Sequence, residues 1–554
     1  MKKPKLSELT LREKIGQTAV FRHSLLEKFS TIEEIEAYHK NNVYGSTWTM
    51  EHTKEVYRVI ETALGNPELA GYKDAMYVNY LNTVNRAMTI PTMPAIDATH
   101  GVNYKFEGHA ELSTATSLGA TKDAELAYRY GKYLGEDLHT FGIRWLWSPV
   151  VDNAGKFKGT RRMSSNREAN KPLLEGFIRG LHDAGIAACA KHFPGDDPYD
   201  YRDSHFCTSA YAQSYEHWRA TQSKDFEDAI AAGVDSIMVG HKTFRALDDT
   251  RVNGNYLPST LSYKIITEEL KGRMGFKGVV LTDDSDMKAL TAICPREKLY
   301  VEILRAGIDM VLGPTELDYI DLVEKAVLDG DLPESRIDDA CQRILDMKEK
   351  YGLFEQGELT EPTEERREEI REKLRTLSKD IAEKSMTLVA NKLDFLPIDK
   401  ANIKKVKVVY IGYSDSCYEN IKEYMVAEFA KHGATCDVQD TFEWADNDTL
   451  NDYDLIIYAT YIGFHAPAGG AYFFNEKCDM LRKLMTVATE KSVGVSFGDP
   501  DIYFNYFTAA HAFVNTYSDS PETITTFVRA LYGEVPFSDY FPFPLNPITR
   551  TNEV

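Results

Sequence analysis

The chain has 554 residues, 43% of them hydrophobic and 27% charged, so it holds enough apolar surface to offset the entropy of ordering and is neither mainly disordered nor low in complexity. Its 64 basic and 85 acidic side chains leave a net charge of −21, a field that repels phosphate backbones and anionic lipid and argues against nucleic-acid and membrane-surface roles. No run approaches the roughly 18 apolar residues of a membrane-spanning helix, and the start, MKKPKLSELTLREKIGQ, lacks the apolar stretch of a secretory signal, which reads as a cytoplasmic protein.

In chain order, the first 350 or so residues repeat one rhythm. Short apolar runs end in a polar residue or glycine, and an amphipathic helical stretch follows. The runs are IPTMPAID ending at Asp97, IRWLWSPVVD ending at Asp152, IAACAKH ending at His192, VDSIMVGH ending at His241, GVVLTDD reaching Asp283, and IDMVLG ending at Gly313. Near-continuous apolar strands alternating with helices predict a parallel sheet covered on both faces. At least six such units in one stretch favour a closed (β/α)8 TIM-type barrel over residues 1–354, with its strand ends converging on one face. A charged helical linker is expected over 355–400, its densest part Glu355–Lys392 reading as solvated. From 401 to 554 a smaller open parallel α/β sandwich domain is expected. Its strands are KVKVVYIGYS (405–414), YDLIIYATYIG (453–463) and KSVGVSFGD (491–499), and its helix 418–433 is closed by Gly433. That domain has no glycine-rich nucleotide-binding loop, and the two glycines of HAPAGGAYFF (465–474) suggest a loop at a strand end.

The densest polar segment is KHFPGDDPYDYRDSH, Lys191–His205, directly after a predicted strand. A metal is the first rival reading, through His192 and His205 with Asp196, Asp197, Asp200 and Asp203. The spacing matches no zinc signature, and the aspartates lack the mid-loop glycine and closing glutamate of a calcium loop, so no metal and no cofactor is expected. The second segment is TDDSD, Thr282–Asp286, capping the buried strand GVVL. Lys191 and His192 beside Asp97 and Asp283 would form a cup of donors and acceptors, as needed to hold sugar hydroxyls once they leave water. His241 and Asp152 read as structural strand-end groups, and His100 as a possible substrate contact. The seven cysteines, at 189, 207, 294, 341, 417, 436 and 478, show no C-x-x-C pair and read as reduced and mostly buried. Asn447-Asp448-Thr449 matches a glycosylation sequon that stays bare in a cytoplasmic chain.

These segments resemble glycoside hydrolase family 3 over nearly the whole chain. KHFPGD (191–196) is similar to that family's signature loop, DSH (203–205) to the Asp-x-His dyad of its β-N-acetylhexosaminidase branch, and GVVLTDD (278–284) to the strand bearing its nucleophile. LGAT (118–121), GTRRMSSN (159–166) and RILDMKEKYGLFE (343–355) match connecting stretches. The resemblance implies Asp283 as nucleophile, His205 as general acid/base, Asp203 as the residue orienting it, and Asp97, Arg161, Lys191 and His192 as sugar-binding residues. Three features depart from the pattern. Asp197 stands where the loop usually has a second glycine, and the loop is one residue longer before Asp203. IDATHGVN (96–103) is closer to the β-glucosidase branch, with Lys105 at best in place of an arginine. GTRRM offers two arginines, of which Arg161 is chosen by register.

The resemblance therefore implies a retaining exo-acting β-N-acetylhexosaminidase that releases terminal N-acetylglucosamine from a small glycoside by double displacement, with no nucleic acid or membrane partner. Three alternatives stay open: a β-glucosidase using Asp196, Asp197 or an acid of the second domain as its proton donor, a glycoside phosphorylase, and a sugar-binding protein without catalysis.

Overall fold

Eight short parallel strands form one sheet whose order follows the chain: β1 Ala19–Arg22, β2 Ser46–Trp48, β3 Met93–Ile96, β4 Trp145–Leu146, β5 Ala187–Phe193, β6 Ser236–Val239, β7 Val279–Thr282 and β8 Val311–Leu312. This is the arrangement in a computed structural model, which describes residues 2–48, 73–99, 101–103, 106, 108–152, 156–200, 202–440, 449–463 and 489–545. His100, Lys105, Cys478, the 465–474 segment and the first two residues of the 447–449 sequon lie outside the described residues. β8 pairs with β1, and a parallel bridge between Leu281 and Met310, with Thr282 N–H donating to Met310 O at 3.1 Å, closes the sheet toward a barrel. The six predicted runs supply β3 to β8. The two strands not predicted, β1 and β2, are four and three residues long.

Side chains alternate along a strand, so every second residue enters the barrel. Val20, Trp48, Met93, Ala95, Trp145, Trp147, Ala187, Cys189, Met238, Val279, Leu281, Met310 and Leu312 form one buried cluster inside it. Ile344, Met347 and Leu353, on and just after the helix Glu334–Lys350, join that cluster. The same helix buries Lys348, whose Nζ donates to Gln17 Oε1 at 2.6 Å and Pro91 O at 2.7 Å. Burial pushes this ammonium's pKa down to about 7.

Contacts divide the chain into two compact units. The first comprises Met1–Ala110, Ala127–Gly155 and Leu174–Arg371; the second comprises Glu111–Leu126, Lys156–Leu173 and Glu372–Val554. The second holds a six-stranded sheet of β9 Thr387–Asn391, β10 Lys405–Gly412, β11 Thr435–Gln439, β12 Leu455–Tyr461, β13 Ser492–Ser496 and β14 Ala512–Asn515, in the order β9-β14-β13-β12-β10-β11. It is parallel except at β9, which runs antiparallel to β14. The helical run after β10 starts where Ser414 Oγ accepts the N–H of Cys417, and Gly433 ends it at φ +78°.

The charged stretch differs from the expectation in two ways. Its helix covers Glu364–Ser385 and has a buried stripe of Ile370, Leu374, Leu377 and Ile381, so it is solvated on one face only. Its last residues form β9 rather than helix. The cysteines also differ: Cys189, Cys341 and Cys417 are buried, Cys294 and Cys436 are intermediate, and Cys207 is exposed. Among the described residues, no helix is long and apolar enough to cross a membrane.

One buried charge cluster fastens the chain that follows β3. His109 lies between Asp137, 2.9 Å from Nδ1, and Asp74, 3.1 Å from Nε2, and Arg367 Nη1 donates to Asp74 at 3.0 Å. Burial opposes the imidazolium charge, but Asp137 and Asp74 outweigh it and hold the His109 pKa up to about 10. The unfolded chain loses this proton near 6.5 and the folded chain near 10. The resulting stabilisation is full below the lower value and drains as pH rises toward the upper one. Lys348, whose pKa falls on folding, contributes a slope of the opposite sign, so the comparison is with the variant: His109→Gln should have a lower thermal midpoint than wild type at pH 7, and the gap should shrink as pH rises to 10. Parallel slopes for the two proteins would contradict this.

Candidate active site

The inward register of the strands continues past the apolar core and delivers polar groups to its rim. On β3, Met93 and Ala95 point inward, and the next such position is Asp97. On β7, Val279 and Leu281 precede Asp283, and on β5, Ala187 and Cys189 precede Lys191. The pairing of β5 with β6 slips between Lys191 and Phe193, inserting one extra residue on β5, and His192 also reaches the rim. The Lys191–His192 and Phe193–Pro194 peptide bonds are cis. Gly240, two residues after the inward-facing Met238, makes room for His192, because a Cβ there would lie 3.2 Å from the His192 Cβ.

These residues meet. Lys191 Nζ is 2.8 Å from Asp97 Oδ1, and the lysine side chain is only 1% exposed. An ammonium so buried requires a partner charge, which the more exposed Asp97 supplies. His192 Nδ1–H donates to Asp152 Oδ2 at 3.1 Å, and Asp152 is fully buried. This fixes the ring so that Nε2 points toward Asp283 Oδ2, 3.8 Å away, close enough for charge interaction but too long for a hydrogen bond. Asp283 is held by its own N–H donating to Val239 O at 2.9 Å, and its Oδ1 accepts the N–H of Asp284 at 2.9 Å. Its side chain is partly exposed, outside the apolar interior.

Asp284 pairs with Arg22, the last residue of β1, whose guanidinium also lies over the Trp48 ring at 5.6 Å. Burial raises the Asp284 pKa, and Arg22 pulls it back only in part. His241 is buried beneath this segment. Its Nε2–H donates to Asp284 O at 2.9 Å, and its Nδ1 is 2.7 Å from Thr260 Oγ1. Burial lowers the His241 pKa against the opposing pull of Asp283 and the Asp284 carbonyl. It holds the backbone after Asp283.

The Lys191–His205 loop is braced by its own aspartates. Asp196 pairs with Lys242 at 2.7 Å. Asp197 accepts the N–H of Tyr199 at 2.8 Å and of Ala212 at 2.7 Å, and Asp200 accepts the N–H of Ala210 at 2.6 Å and both arms of Arg202. Asp197 therefore closes the longer loop from the position where a glycine was expected. Asp203 and His205 meet at 2.6 Å, Oδ1 to Nδ1. They do so in a turn rather than in an extended segment: Asp203 Oδ1 also accepts the His205 N–H, and Asp203 O accepts from Phe206 and Cys207. The turn is tied to the segment after Asp283, with Lys288 N–H donating to His205 O at 3.2 Å and Ala289 N–H to Ser204 O at 3.3 Å. The charges of His205 and Asp283 both act on the His241 ring. Among the described residues, no group of three or more His, Cys, Asp or Glu is arranged to hold a metal.

The structure thus connects Asp97, Lys191, His192 and Asp283 directly, and the Asp203–His205 turn to the backbone beyond Asp283. Arg161 belongs to the second unit, at the end of the turn Lys156–Arg161, and is partly exposed. Arg162 is buried there against the Phe543 ring at 3.8 Å. Arg22 and Trp48 were not predicted. The run AVFR, apolar residues ending in a cation, carried the signal for Arg22.

The N-terminal domain model of glycosyl hydrolase family 3 matches residues 10–347, more than half of the chain. The chain belongs to glycoside hydrolase family 3. A β-N-acetylglucosaminidase/β-glucosidase of Cellulomonas fimi is 25% identical to it over 504 residues, covering 83% of this chain and 85% of that one. Among solved structures, a β-glucoside phosphorylase superposes with a TM-score of 0.81 at 20% identity, covering 97% of this chain and 94% of its own. A family 3 β-N-acetylglucosaminidase from Paenibacillus superposes with a TM-score of 0.78 at 23% identity, covering 97% and 99%. This family 3 chain is accordingly a glycoside hydrolase with the barrel and second sheet of that fold.

The Asp152 carboxylate accepts from His192 Nδ1, so replacing it tests whether the orientation of that ring matters. Asp152→Asn should keep the fold and lower kcat/KM by on the order of 10²-fold, the cost of a misplaced group at a reacting centre. Unchanged kinetics would show that His192 needs no such anchor.

Proposed function

We propose that this enzyme is a retaining exo-acting β-N-acetylhexosaminidase that releases terminal N-acetylglucosamine from small soluble glycosides. In this reading Asp283 attacks the anomeric carbon to form a glycosyl-enzyme, and His205 gives its proton to the departing oxygen. Water then enters, His205 takes its proton, and the sugar leaves with its configuration retained. Asp97, Lys191 and His192 hold the sugar hydroxyls.

The observation that carries the proposal is the Asp203–His205 contact at 2.6 Å, on a turn bonded to the backbone just beyond Asp283. A carboxylate on Nδ1 fixes the ring tautomer and stabilises the imidazolium, and Nε2 becomes the atom that gives and takes the proton near neutral pH. Asp196 and Asp197, the candidate acids of the β-glucosidase alternative, brace the loop against Lys242 and backbone amides, which weighs against them as proton donors. An imidazole donor also repels an incoming phosphate less than a carboxylate would, so phosphorolysis is the second reading to test.

Three measurements test this. The enzyme should turn over aryl β-N-acetylglucosaminides far better than aryl β-glucosides, and should release free sugar without sugar 1-phosphate in phosphate buffer; a preference for the glucoside, or sugar 1-phosphate as the main product, would overturn the reading. A 2-deoxy-2-fluoro or 5-fluoro glycoside should leave its adduct on Asp283 by peptide mass spectrometry. Measurable binding without an adduct would favour a non-catalytic sugar-binding protein.

A further inference from the structure

The loop that carries Asp203 and His205 also carries two large apolar side chains open to solvent: Tyr199, 73% exposed, and Phe206, 58% exposed. Phe206 is not exposed through fraying. The N–H groups of Phe206 and Cys207 both donate to Asp203 O, at 3.1 and 3.0 Å, and the carbonyls of Ser204 and His205 accept from Ala289 and Lys288. The main chain on either side of the ring is thus held while the ring itself stands in water. Its centroid lies 6.3 Å from that of His205, with the planes inclined by 46°. Leaving an aromatic ring in water forgoes apolar burial, and this turn could carry a polar side chain without disturbing any of its hydrogen bonds.

A proton donor for glycoside cleavage must lie against the oxygen that joins the sugar to its leaving group. The sugar itself is assigned to the rim of Asp97, Lys191 and His192, inside the barrel mouth. A ring on the residue next to His205 that stands in solvent is open to what is attached to the far side of that oxygen. Pyranose and aryl rings both offer a flat apolar face to an aromatic side chain, and an open-chain alcohol does not.

We infer that Phe206 is the stacking platform for the leaving group and makes the enzyme favour glycosides whose leaving group is itself a ring, a second pyranose or an aryl group. The inference rests on the assignment of His205 as proton donor. It confines Phe206 to one half of the reaction: the leaving group has gone once the glycosyl-enzyme forms, so the hydrolysis of that intermediate does not sense the ring.

The test uses Phe206→Ala and Phe206→Trp in the full chain, with phenyl, disaccharide and methyl glycosides of whichever sugar the wild-type enzyme turns over fastest. Phe206→Ala should lower kcat/KM about tenfold on the phenyl and disaccharide substrates and less than about twofold on the methyl glycoside. The hydrolysis rate of the pre-formed glycosyl-enzyme should not change, Phe206→Trp should restore the ring preference, and Tyr263→Ala, at a 54% exposed tyrosine before the helix Lys264–Arg273, should behave as wild type on all three. Equal losses on all three substrates, or no loss on any, would overturn the inference. A wild-type enzyme that prefers glucosides would overturn the N-acetylglucosamine assignment alone and leave this comparison intact. Near-normal turnover by His205→Gly would remove the basis of the inference and overturn it, whatever the Phe206 variants do.

Discussion

A strand offers every second side chain to the same face, and in a closed barrel that face is a narrow interior with little room for water. The positions that bury Met93 and Ala95, Ala187 and Cys189, or Val279 and Leu281 are followed, one step further along each strand, by Asp97, Lys191 and Asp283. The same periodicity that packs the core thus carries charge to its upper edge. In such surroundings a charge persists only when paired, which is why Lys191 meets Asp97 and His192 meets Asp152. Asp283 faces the edge of this network at 3.8 Å from His192, rather than being neutralised inside it.

Around this rim the chain uses backbone-directed hydrogen bonds to hold loops that have little apolar packing of their own. Asp197, Asp200 and Asp203 each accept main-chain N–H groups within one loop, His241 holds the Asp284 carbonyl, and Arg22 engages the Asp284 carboxylate. His109, held between two carboxylates, plays the corresponding part for the chain after β3. The acidic composition, read at first only as a net charge, is in these loops a source of acceptors for amides that no strand or helix pairs.

The six barrel strands with a polar residue or glycine at their end were legible because apolar runs and strand-end chemistry coincide. β1 and β2 were not, since AVF ends in a cation where the other six runs end in an acid, an imidazole or a glycine, and STW has a single apolar residue; with them Arg22 and Trp48 were lost. The helix Glu364–Ser385 was found but misjudged: Ile370, Leu374, Leu377 and Ile381 form a helical stripe that the density of charges hides. Asp203 and His205 are two residues apart, a spacing that would place them on one side of an extended chain. They meet through a turn that Asp203 itself nucleates, a local hydrogen-bonding choice that spacing alone does not distinguish. The aspartate in place of a glycine also closes the longer loop, since Asp197 joins Tyr199 to Ala212.

On the proposed mechanism, the barrel rim contributes a carboxylate that bonds to the sugar, and a neighbouring turn contributes the imidazole that moves the proton. Two successive displacements at one carbon leave its configuration unchanged, whereas a single attack by water inverts it. Proton NMR of the first product released from a β-glycoside, recorded before the free sugar mutarotates, reads that outcome directly. The β-anomer should accumulate first; initial appearance of the α-anomer would contradict covalent attack by Asp283.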